Sequence, residues 1–178
     1  NELNTGKIDC IWNGFTITDE RKEQVLFTKP YMYNRQVLVV KSDSTLSRLS
    51  DFKGKKLALQ AGSSAADALN ASPDFKSKLK EVAEFENNLT ALMDLEKGGV
   101  DVVLMDEVVA NYNITAKKAD VKVLDEALAT EEYGIGFRKN DNALMNKVQE
   151  TLDAMAKDGT LAKISEKWFG KDVTTVGK

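Results

Sequence analysis

One seven-residue pattern is used twice in this chain, and it limits the fold more than any other feature. Leu3-Asn4-Thr5-Gly6-Lys7-Ile8-Asp9 is echoed by Leu95-Glu96-Lys97-Gly98-Gly99-Val100-Asp101, with Gly6 and Gly98 92 residues apart. Each copy reads as the last turn of a helix, a glycine that ends it, and the entry to a buried strand. Two readings follow: a common helix-to-strand connection used twice, or two lobes built on one plan. On the second reading Gly14 and Asp106 are equivalent, each five residues beyond the matched aspartate. Ligands of open α/β sheets sit beyond the carboxyl ends of the strands, so both positions become candidates for a site. The helix of the first copy has barely a turn in the given sequence. A helix that short does not hold itself together in water, which sets up the expectation of further structure upstream.

The rest of the chain alternates short β-rich runs with helical periodicity. Strands are expected at 8–12, 37–41, 56–60, 100–105, 121–124 and 134–138. Helices are expected at 65–71, 75–79, 88–97, 107–117, 141–158 and 161–167. Such alternation implies α/β layers and mostly parallel sheets. A length of 178 residues suits one ordinary domain or two small lobes.

Several function classes fall away on composition. The chain contains no histidine, which removes the commonest general base and metal ligand. Ser/His and Cys/His nucleophiles and histidine-based zinc sites are excluded with it. Basic and acidic residues are well mixed around a net charge of −3, so no basic stripe points to nucleic acid. No apolar run approaches the roughly 20 residues that span a bilayer. Cys10 is the single cysteine, so no disulfide forms within the chain; in the run 8–12 it reads as a buried, inert thiol. Trp168-Phe169 reads as an anchor fixing the last helix to a core. Tyr31, Tyr33 and Phe27 around Pro30 read as core or hinge packing.

Three strand ends carry the candidate chemistry. At the first, Asn13, Gly14 and Thr16 offer backbone and hydroxyl groups, and Gly14 permits close approach of a ligand. Arg21, a planar fork suited to a carboxylate, follows shortly after; taken alone it reads as a solvated helix residue. At the second, Gln60-Ala61-Gly62-Ser63-Ser64 leads into a helix, where free N–H groups and the Ser63 and Ser64 hydroxyls suit an anion. The plain alternative there is a serine cap. At the third, Asp106 directly ends an apolar strand. A carboxylate there needs a partner, either a cationic ligand group or the helix it would cap. Together the pieces offer a seat for an anion and a seat for a cation, the two charges that a free α-amino acid carries.

The ordered set of segments resembles the bacterial solute-binding proteins for polar amino acids, extracellular solute-binding family 3. It includes Gly6-Lys7-Ile8-Asp9, Asn13-Gly14-Phe15-Thr16-Ile17-Thr18-Asp19-Glu20-Arg21 and Phe27-Thr28-Lys29-Pro30-Tyr31. It continues through Leu49-Ser50-Asp51-Phe52-Lys53-Gly54, Gln60-Ala61-Gly62-Ser63-Ser64 and Gly98-Gly99-Val100-Asp101. It closes with Tyr133-Gly134-Ile135-Gly136-Phe137-Arg138 and Lys167-Trp168-Phe169-Gly170. The resemblance implies an α/β periplasmic-binding-protein-like fold of type II, two lobes joined by two crossing strands and closing on a ligand. Lobe one would comprise 1–35 and 133–178, and lobe two 36–132, with lobe one incomplete at its N-terminus. The family's carboxylate-holding arginine matches Arg21, and its helix-start hydroxyl matches Ser64, with Ser63 beside it. Its ammonium-holding acid matches Asp106, and its lobe-one backbone contacts match Asn13, Gly14 and Thr16. The implied ligand is a free, polar amino acid, handed to the permease of an ABC transporter outside the cytoplasm, in the periplasm or at a lipid anchor. No catalytic group, metal, cofactor or nucleic acid is expected. An incomplete lobe one implies a homodimer or a complementing N-terminal fragment. The alternatives on the same fold are a receptor ectodomain that senses its ligand and a cyclohexadienyl-dehydratase-like enzyme.

Overall fold

A computed structural model describes residues 2–178. The chain divides into two compact units, Asn1–Tyr33 with Glu131–Lys178, and Asn34–Thr130. Two strands run across the divisions, β3 (Met32–Lys41) and β7 (Val121–Tyr133). The sequence reading placed each division two residues further along the same strand.

The Asn34–Thr130 unit is built on a five-stranded sheet in the order β5-β4-β6-β3-β7. Here β4 is Lys56–Gln60, β5 is Glu81–Phe85 and β6 is Val102–Asp106. β4 runs parallel to β5 and β6, whereas β3 pairs antiparallel with β6, Gln36 opposite Asp106 and Val39 opposite Val103. Side chains alternate across a strand, and both faces of this sheet are covered. Val37, Val39, Ala58, Val103 and Met105 pack on one face with α4 (Asn88–Lys97), through Ala91, Leu92 and Leu95. Leu38, Val40, Leu57, Leu59, Val102 and Leu104 pack on the other with α2 (Ser64–Asn70) and α3 (Pro73–Lys76), through Ala65, Leu69 and Phe75. Continuous apolar runs such as Val37–Val40 are what a sheet buried on both faces requires. α5 (Glu107–Lys117) follows β6 directly.

The repeated motif is structurally one motif. Gly98 has φ +79° and ends α4, its N–H bonded to Leu95 O and the Gly99 N–H to Asp94 O. Gly6 has φ +73°, its N–H bonded to Leu3 O and the Lys7 N–H to Glu2 O. Every partner is displaced by the same 92 residues. Only glycine takes this left-handed conformation without strain, which is why the two sequences agree there. Leu3 and Leu95 are both buried.

The other unit has a much smaller sheet, β1-β8-β2, formed by Cys10–Ile11, Gly136–Phe137 and Leu26–Phe27. Both pairings are antiparallel, which corrects the expectation of mostly parallel sheets. Strands of two residues have no room for buried crossover helices on both faces, which parallel pairing demands. The core consists of Ile135, Phe137, Leu152 and Val176, with Cys10, Leu26, Tyr31, Leu144, Val148 and Leu161 packed around it. Leu144, Val148 and Leu152 lie on one stripe of α6 (Asn142–Lys157), whose N-terminus is capped by Asp141 accepting from the Leu144 N–H. α1 (Asp19–Gln24) is a short charged helix capped by Thr18.

Trp168 and Phe169 do not anchor the last helix. They are 66% and 39% exposed. α7 (Thr160–Phe169) is held instead by Leu161 and by buried Ser165, whose hydroxyl donates to Lys171 O and accepts from the Val173 N–H. Cys10 is only partly buried; burial first, and then Asp9, push its thiol pKa up. Tyr33 is exposed rather than packed.

Candidate functional site

In the Asn34–Thr130 unit the candidate residues Ser64 and Asp106 belong to one polar network. Asp106 is the last residue of β6 and occupies the N-cap position of α5, yet its side chain makes no capping bond there. Its Oδ1 accepts instead from Asn34 Nδ2 at 2.8 Å and from Gln36 Nε2. Gln36 Nε2 also donates to Ser64 Oγ at 3.1 Å. The plain cap that the sequence left open for Asp106 is therefore not the arrangement found. Ser64 opens α2, and Ser63, at the N-cap position, donates its hydroxyl to Gln60 O at 2.7 Å rather than capping. That bond closes the Gly62 turn, where φ is +64°.

Asn34 and Gln36 were not singled out in the sequence. They are 2% and 1% exposed, and a buried amide is tolerable only when bonded. The available signal was spacing: Asn34 and Gln36 continue the even-numbered face of β3 that Leu38 and Val40 occupy. Arg35 points the other way. Its Nε and Nη2 make a two-point ion pair with Glu107 Oε2 and Oε1, each 2.7 Å. That hydrogen bonding holds the guanidinium pKa above its ordinary value. Three consecutive residues of β3 thus grip Asp106 and Glu107.

In the other unit Asn13, Gly14, Thr16 and Arg21 form a second group. Thr16 is buried and bridges to Tyr133, with the flanking Ile17 N–H donating to Glu132 O and the Gly134 N–H to Phe15 O. Arg21 Nη1 donates to Thr16 O at 2.9 Å, and its guanidinium lies 4.9 Å from the Phe15 ring centre. Phe15 in turn stacks on Phe27 at 5.1 Å. A stacked, hydrogen-bonded guanidinium keeps its plane fixed, which suits recognition of a carboxylate. Asn13 O accepts from Tyr31 Oη at 2.8 Å; burial pushes that phenol up to about 12, so it stays a donor. Gly14 packs against the Tyr133 ring, where a Cβ would meet ring atoms at 3.1 Å. A side chain here forces the ring or the loop to move.

A cavity of about 870 Å³ in the same unit is lined by Lys29, Tyr33, Gln149, Asp153, Lys157 and Lys178, among others. None of the seven candidate residues lines it.

Comparison with known proteins gives a consistent picture. Residues 1–171 match the model of the bacterial extracellular solute-binding proteins, family 3. The "Probable amino-acid-binding protein YxeM" of Bacillus subtilis is 38% identical over 99% of this chain and 67% of its own length. The L-cystine-binding protein TcyJ of Escherichia coli is 33% identical over 97% of this chain and 64% of its own length. The chain thus spans about two thirds of the length of these curated relatives. Among solved structures, a substrate-binding protein of an ABC uptake transporter from Streptococcus pneumoniae, with bound histidine, superposes with a TM-score of 0.91 at 42% identity. It covers 98% of this chain and 73% of its own.

Proposed function

The chain belongs to the bacterial extracellular solute-binding proteins, family 3, and on that premise we propose that it binds a free, polar α-amino acid outside the cytoplasm for delivery to an ABC-type permease. The observation that carries the reading is the state of Asp106. It sits at a strand end and at a helix start, yet its carboxylate is turned onto the Asn34 and Gln36 amides and does not cap the helix. An acid built in this way suits the ammonium group of a ligand. Ser64, joined to the same network, and Arg21, braced on Phe15, suit the ligand carboxylate. Asn13, Gly14 and Thr16 contribute backbone contacts, and Ser63 shapes the turn before Ser64. The relatives named for cystine and bound to histidine support the amino-acid class and leave the side chain of the ligand to experiment. The proposed role is binding without chemical change to the ligand, a reading supported by relatives named as binding proteins.

The test is thermal unfolding in the presence of each of the twenty standard amino acids and cystine. A ligand that binds only the folded state raises the unfolding temperature. Stabilisation by at least one of them, abolished by Asp106→Ala and by Arg21→Ala, is expected. Stabilisation that survives both substitutions contradicts the assignment.

A further inference from the structure

The interior of β3 contains two amides where the pattern calls for apolar residues. Asn34 and Gln36 lie on the face that Leu38 and Val40 extend into the core, and both are almost fully buried. Their hydrogen bonds explain the cost. A carboxylate accepts and never donates when ionised, so the group facing Asp106 Oδ1 must be the NH2 end of each amide. That fixes which way both amides point. Gln36 then spends its two N–H bonds on Asp106 Oδ1 and Ser64 Oγ. With two donors converging on Oδ1, the carboxylate cannot rotate without breaking a bond, so its second oxygen keeps one position too. Ser64 Oγ accepts from Gln36, so its O–H is directed away from that amide. Register reinforces this: Gln36 is directly opposite Asp106 across the β3–β6 ladder, and Arg35 holds Glu107 from the opposite face.

We infer that Asn34 and Gln36 are positioning residues of the amino-acid site, acting through Asp106 and Ser64 to preset an ammonium-seeking carboxylate and a carboxylate-seeking hydroxyl before a ligand arrives. This rests on the function proposed above. Preorganisation of this kind lowers the ordering cost of binding.

The test uses Gln36→Met, which keeps length and volume and removes both donors, and Asn34→Leu, which removes one. Ligand-free crystal structures of both report on Asp106 and Ser64 directly. Calorimetric titrations with L-histidine, L-arginine, L-glutamine and L-cystine report on affinity. The expected result is an Asp106 carboxylate that has turned or occupies more than one orientation in Gln36→Met. For whichever probe the unmodified chain binds, affinity falls by about tenfold or more in Gln36→Met and by less in Asn34→Leu. A residue that only packs lowers the unfolding temperature and leaves affinity below that temperature unchanged; such a result overturns the inference. An unmoved Asp106 and Ser64 in the Gln36→Met crystal overturns it as well. Should no probe bind the unmodified chain, the function proposed for those ligands fails while the crystals still decide the positioning role. If Gln36→Met does not fold, the side-chain NH2 resonances of Asn34 and Gln36 in Asp106→Asn give the answer: both shift if the bonds exist, and unshifted signals refute them.

Discussion

The two units hold their candidate residues by different means. In Asn34–Thr130, Ser64 and Asp106 sit on ends of helices and strands packed on both faces of a five-stranded sheet, and buried amides lock them. In the other unit, Asn13, Gly14, Thr16 and Arg21 sit on a loop and a six-residue helix beside strands of two residues each. Their geometry comes from aromatic stacking and a few backbone bonds. The candidate residues of Asn34–Thr130 inherit rigidity from a deep core, and those of the other unit are braced locally. Local structure of the second kind opens at lower free energy than a core sheet.

The largest expected effect separates the cores. Leu104→Ala removes a side chain with no exposed surface and should cost about 2–5 kcal/mol, read as a lowered urea midpoint. Leu152→Ala, in the small core, should cost about 2 kcal/mol, at the low end of the same range. Equal losses would break the comparison. Hydrogen exchange sharpens it: amides of β4 and β6 should exchange only through global unfolding, and those of β1 and β8 through smaller openings.

The matched glycines come next. Gly98→Ala forces a left-handed φ on a residue with a Cβ and should cost about 1–2 kcal/mol. Gly6→Ala should act with the same sign and a smaller size, because opening there is easier. A larger cost at Gly6 would mean that the small unit is the more rigid one.

The smallest effect is a pH dependence near Lys178. Asp172 is bonded by the Lys178 ammonium, then by Thr174 Oγ1 and N, which hold its pKa down to about 2 from the ordinary 3.8. A depressed carboxylate contributes its stability fully above its unfolded value and loses it as pH falls through the folded one. The Thr174 amide signal follows protonation of the folded carboxylate and should therefore titrate with its midpoint at pH about 2, well below the ordinary 3.8. Asp172→Asn should flatten that change.

Much of the deep unit was legible because its elements obey one period each. β4, α4 and α5 form at the residues their patterns and caps mark, Asn87 capping α4 through the Thr90 N–H and Gly98 ending it. Legibility failed where polar residues serve a strand. β5, Glu81-Val82-Ala83-Glu84-Phe85, lies at the sheet edge with charges on it, and is absent from the strands that the pattern predicts. The apolar pattern marks neither the start of β3 at Met32 nor the end of β7 at Tyr133; the family resemblance, which implies crossing strands near 33–37 and 130–134, is what places strands there. The same blindness hid Asn34 and Gln36: amides in a core read as loop residues until their partner is known. Asp106 and Ser64 stood out as candidates because they stand at the junctions of apolar runs. In the small unit, strands of two residues have no period to read, and β2 (Leu26–Phe27) is absent from the strands that the pattern predicts. Even so, the glycine of the repeat marked the turn at Gly6, because left-handed backbone leaves a trace in sequence wherever it occurs.

The central claim is that one set of groups holds a ligand's carboxylate and another its ammonium. Calorimetry with the amino acid that stabilises the chain best, its methyl ester and its decarboxylated amine tests this most directly. The account predicts that the intact amino acid binds and that both derivatives lose at least about a hundredfold in affinity, since each strands a charged group in the site. Equal binding of the ester or of the amine would contradict it.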